Sequence, residues 1–88
     1  GGELDLFNRA LGAAVAALST GKPLRVIEIG AGTGSATGPV LTALDRHAPG
    51  SHYVYTDVSA HFVAAGEARF GARPATEFRN LDIGRHPH

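Results

Sequence analysis

The stretch VIEIGAGTGSAT, Val26 to Thr37, sets Gly30, Gly32 and Gly34 at alternate positions directly behind an apolar run that carries one carboxylate, Glu28. Leu24 to Ile29 is short, β-branched and nearly continuously apolar. That pattern predicts a strand covered on both faces, as in a parallel sheet. Gly30 and Gly32 are free to take backbone angles closed to other residues and to let a ligand approach the main chain, and Gly34 is expected to let the next helix start tight against the sheet. The amino end of that helix offers N–H groups and a partial positive charge, suited to a carboxylate or a phosphate. A dinucleotide fingerprint, Gly-x-Gly-x-x-Gly, would need glycine where Ser35 or Thr37 stands. The spacing is instead Gly-x-Gly-x-Gly.

Outward from this loop the chain alternates. Glu3 to Leu18 is Ala-rich with Leu4, Phe7, Leu11, Ala14, Val15 and Leu18 at helical spacing, so one face of a helix is predicted to carry them. Thr20-Gly21-Lys22-Pro23 ends it. After the loop, Val40, Leu41 and Leu44 mark a second helix starting close to Pro39, and Ala48-Pro49-Gly50 closes it. Tyr53 to Thr56 reads as a strand ending at Asp57, and Ser59 caps a third helix with Phe62, Val63 and Phe70, stopped at Gly71. Thr76 to Leu81, ending at Asp82, is a weaker third strand. Helix and strand in alternation imply right-handed crossovers and a parallel α/β sheet, with a ligand crevice at the strands' carboxyl ends. The glycine loop, Asp57 and Asp82 then share one rim.

Composition narrows the function classes. With 88 residues and a formal net charge of zero, the chain is at most one small domain with no basic face for nucleic acid. Cysteine is absent, which removes disulfide and Cys-zinc frameworks and fits a reducing, cytoplasmic setting. No apolar stretch is long enough to span a bilayer. The absence of Met and the Gly1-Gly2 start lead us to expect an excised or processed piece of a longer protein.

Glu28-Ile29-Gly30-Ala31-Gly32-Thr33-Gly34 resembles the first motif of the class I S-adenosylmethionine-dependent methyltransferases. With Tyr55-Thr56-Asp57-Val58-Ser59 and Asn80-Leu81-Asp82-Ile83, the chain looks most like the C-methyltransferase domains of polyketide synthases and related megasynthases. The resemblance covers nearly the whole chain but only the amino-terminal half of the family's Rossmann-like fold. It implies that residues 1–88 are the cofactor-binding half of a methyltransferase domain, a three-stranded parallel sheet in the order third, second, first, with the remaining strands on the far side of the first. It implies that the loop Gly30, Ala31, Gly32 to Gly34 packs against the methionine part of S-adenosylmethionine, with Glu28 near its ammonium. Asp57, with Val58 beside it, would accept from both ribose hydroxyls. Asp82 would face the adenine amino group, with the Ile83 backbone close to the ring. The chemistry implied is in-line attack on the sulfonium methyl, in megasynthase relatives by the α-carbon of a carrier-bound β-ketoacyl thioester. The base lies in the part beyond these residues, so no catalytic residue is assigned. Expected partners are the remainder of the domain, an acyl carrier protein and neighbouring synthase domains, with no nucleic acid and no membrane. The 88 residues alone are expected to bind the cofactor weakly and to transfer no methyl group.

Plainer readings stand beside these. Asp57 and Asp82 also suit ordinary turns, and Glu28 is costly in mid-strand unless it finds a partner. His47, His52, His61, His86 and His88 show no metal-ligand spacing and read as solvent-facing or loop residues. Tyr53 and Tyr55 alternate on one strand face and read as core and rim. A non-catalytic methyltransferase remnant with a structural role, and an NAD-binding half-domain, remain the alternatives.

Overall fold

The computed structural model describes residues 2–82. In chain order the elements are α1 (Gly2–Ser19), β1 (Arg25–Glu28), α2 (Thr37–His47), β2 (His52–Asp57), α3 (Ala60–Phe70) and β3 (Thr76–Asn80). The strands form one parallel sheet in the order β1-β2-β3, so the expected third-second-first order holds. Val26 pairs with Tyr53 and Tyr55 with Phe78, which puts these side chains on one face. There they meet Val15 of α1, Leu41 and Leu44 of α2 and Phe70 of α3 in a common core. Leu44, Tyr53 and Tyr55 are the large side chains most completely withdrawn from water.

Two expectations are corrected here. β1 is not covered on both faces among the described residues: Ile27, on the face opposite the helices, is 63% exposed, because the described helices all pack on the other face. The helix at the amino end is present, with Val15 buried and Leu11 packed on the core as predicted, but it is rotated from the rest of the predicted face. It buries Gly12, Val15 and Ser19 while Leu4, Phe7 and Leu18 stay exposed. Gly12 explains the rotation, since a Cβ there would stand 2.9 Å from the His47 ring, so the backbone of α1 comes down onto α2 at that point. Thr20 and Gly21 turn the chain out of α1 with φ of 47° and 86°.

Candidate functional site

Parallel pairing sets the carboxyl ends of β1, β2 and β3 along one rim. Glu28 is aligned with Tyr55, and Asp57 with Asn80. Above the end of β1, Gly30, Gly32 and Gly34 all have positive φ, 71°, 58° and 81°, which side-chain-bearing residues rarely adopt. A Cβ on Gly30 would meet nothing within 4 Å, so the loop presents open main chain there. Gly34 has a different constraint from the one anticipated. α2 begins only at Thr37, and what crowds Gly34 is the Phe70 ring, 3.1 Å from where a Cβ would stand.

The loop is held from below by β2. Ala31 N–H donates to the Thr56 carbonyl at 3.0 Å, and the Tyr55 hydroxyl donates to the Gly32 carbonyl at 3.1 Å. Gly32 N–H donates to Asp57 Oδ2, and Ser59 N–H to Oδ1, both at 2.8 Å. Backbone donors, Ser59 first, Gly32 second and Val58 to a smaller extent, hold the Asp57 carboxyl below its ordinary range. The Asp57 carbonyl in turn accepts from Leu81 N–H at 2.8 Å and from Asn80 Nδ2 at 2.9 Å, tying the end of β3 to the same residue. Asp57 is thus the hub of the rim. Its two oxygens offer four acceptor directions, more than these backbone donors occupy. Val58 beside it is exposed, as is Asp82 beyond the end of β3, and Ile83 lies outside the described residues.

Glu28 does find partners. Its Oε1 accepts from the Thr37 hydroxyl and from the Tyr53 hydroxyl, each at 2.5 Å. Burial, followed by the bond to Glu28, pushes the Tyr53 phenol up from its ordinary value, so it remains a donor. Sequence reasoning placed Tyr53 in the core without assigning its hydroxyl, and it passed over Thr37. The requirement that a buried phenol find a partner is the signal that could have linked Tyr53 to the nearby carboxylate. His52 is likewise not a loop residue. It lies on β2, with Nε2 2.6 Å from Glu77 Oε1 across the sheet. Among the described residues no group of His, Cys, Asp and Glu is arranged to hold a metal, and no helix is long and apolar enough to cross a membrane. A cavity of about 340 Å³ lies between α1 and α2, lined by Gly12, Thr42, Arg46 and His47 among others, away from the glycine loop. At the rim Gly30, Val58 and Asp82 are exposed, whereas Asp57 is only 6% exposed.

A family model described as a methyltransferase domain matches residues 27–87. A highly reducing polyketide synthase of Alternaria alternata is 49% identical over 76 residues, which cover 82% of this chain and 3% of the synthase. The solved C-methyltransferase domain of a citrinin polyketide synthase superposes with a TM-score of 0.65 at 38% identity, over 80% of this chain and 18% of that one. The trans-methyltransferase CalH, solved as a complex with SAH, superposes with a TM-score of 0.68 at 33% identity, over 93% of this chain and 26% of that one. The chain therefore spans a small part of each of these three proteins.

Proposed function

From the premise that this chain belongs to the methyltransferase-domain family, in its polyketide-synthase branch, we propose that its rim is the S-adenosylmethionine site of a carbon methyltransferase. The observation that carries this reading is the bond from Gly32 N–H to Asp57, which sets a glycine loop with open main chain at Gly30 beside a carboxylate with acceptor capacity to spare. The residues fit the cofactor. Gly30 and Gly32 supply main chain with no side chain over it for the methionine portion, with Ala31 and Gly34 buried as the supporting part of the loop, and Glu28 supplies a carboxylate for its ammonium. Asp57 accepts from the ribose hydroxyls, with Val58 at its side, and Asp82 is the carboxylate assigned to the adenine amino group. Bound there, the cofactor supplies an electrophilic methyl group. The chain's own contribution is to hold it in a fixed orientation.

In this reading residues 1–88 form the amino-terminal, cofactor-binding half of a larger domain. The acceptor is the α-carbon of an acyl thioester delivered by a carrier protein, and the catalytic base comes from beyond these residues. The natural setting is a cytoplasmic multidomain synthase. Titration calorimetry on the full-length protein carrying these residues tests the site. SAH is expected to bind and NAD not to. Asp57→Ala, which removes charge-assisted hydrogen bonds worth on the order of 1.5–3 kcal/mol each, is expected to weaken SAH by about tenfold or more. Equal affinity for the variant and the parent would remove the ribose assignment, and preference for NAD would remove the methyltransferase reading.

A further inference from the structure

Glu28 and Thr37 flank the glycine loop, one as the last residue of β1 and the other as the first of α2. Their side chains meet at 2.5 Å, so the loop between them is closed at its base by one hydrogen bond. The Tyr53 hydroxyl reaches the same carboxylate oxygen from β2, also at 2.5 Å. Thr37 and Tyr53 are each 1% exposed, whereas Glu28 keeps partial contact with solvent. Two hydroxyl donors therefore converge on Oε1, and Oε2 has no hydrogen-bond partner among the described residues. If the arrangement served only to close the loop, the Glu28–Thr37 bond would suffice. A second donor on the same oxygen restrains the rotation of the carboxylate about its own axis.

We propose that Tyr53 is a positioning residue for ligand recognition: with Thr37 it orients the Glu28 carboxylate so that Oε2 is left to accept from the ammonium of an α-amino-acid group. This rests on the cofactor reading above and adds what selects the amino-acid end. An ammonium offers only donors, and a carboxylate whose other oxygen is satisfied by hydroxyl protons is an acceptor matched to it. A ligand carrying only the nucleoside part does not use the device. Recognition of the amino-acid end is therefore expected to depend on a phenol that the ligand does not touch.

The test compares two probes on the full-length protein by calorimetry: SAH, and 5′-methylthioadenosine, which keeps the adenine and ribose but lacks the amino acid. Tyr53→Phe is expected to weaken SAH about tenfold, the scale of one hydrogen bond to a charged group, while 5′-methylthioadenosine binds as to the parent. Thr37→Val, close in shape, gives a second route to the same split should Tyr53→Phe fold poorly, and thermal unfolding checks both. In Glu28→Gln the loss of SAH affinity is expected to appear already, and adding Tyr53→Phe to it should cost little more, the non-additivity of two residues acting as a unit. Equal affinity of Tyr53→Phe and the parent for both probes would overturn the proposal and leave the cofactor site standing. A parallel loss of both probes would reduce the cluster to a loop staple and overturn it too. A parent that binds neither probe would remove the cofactor reading itself.

Discussion

At the scale of single residues, Asp57 shows how a carboxylate is made ready before any ligand arrives. Its pKa is lowered by the backbone N–H groups of Ser59 and Gly32. A group depressed on folding contributes stability that is complete above its ordinary value, 3.8 for this carboxyl, and is lost as the pH falls through the lower folded value. Asp57→Asn is therefore expected to flatten the fall in stability below about pH 3.8 while changing its shape little near neutrality, as read from denaturant midpoints across pH. An acid limb identical to the parent's would show that the two backbone bonds do not persist in solution. Asp57 and the three glycines were legible in the sequence because their residue types are demanded by position: positive φ in one case, a strand end beside a turn in the other. The partners of Glu28 were not. Thr37 is nine residues away and Tyr53 twenty-five, and only the sheet register brings them to one oxygen.

At the scale of elements, the helices and strands follow local signals closely. Ser59 caps α3 as expected, its hydroxyl accepting from Phe62 N–H at 3.3 Å. What the pattern does not reveal is which faces meet. Gly66 lies inside α3, where exchange for alanine normally gains up to about 1 kcal/mol in helix propensity. Here an added Cβ would stand 2.3 Å from Cζ of Tyr55, a ring 1% exposed whose hydroxyl supports the Gly32 carbonyl. Overpacking of this kind costs about 1–3 kcal/mol and outweighs the propensity. Gly66→Ala is thus expected to lower stability in chemical denaturation, and a stabilised variant would mean that α3 sits further from the sheet. Part of the face of α1, beyond Leu11 and Val15, was misread for a related reason. Periodicity reports the apolar stripe of Leu4, Phe7 and Leu18, whereas the contact with α2 is set by what is small, Gly12.

At the scale of the whole molecule, the exposed Ile27 and Ile29 lie on and just beyond an incompletely used strand, β1. His52 N–H donates to the Leu24 carbonyl and Tyr53 N–H to the Ala75 carbonyl, so successive β2 residues serve opposite neighbours. The same alternation on β1 turns the N–H groups of Arg25 and Ile27 away from β2, toward an edge with no strand beyond it among the described residues. Such an edge beside apolar side chains templates association. The 88-residue chain in isolation is expected to self-associate with concentration in sedimentation, and its Arg25 and Ile27 amides to exchange rapidly in any monomer. A monomer that protects both would mean the edge is already covered. The β1-β2-β3 order also bears on synthesis. Because spatial order repeats chain order, each strand leaving the ribosome finds its neighbour already made, and the sheet can grow as it is translated. The growth runs in one direction only. The strand made first holds the edge that the growing sheet moves away from, so a later-made partner for it must travel back past everything assembled in between.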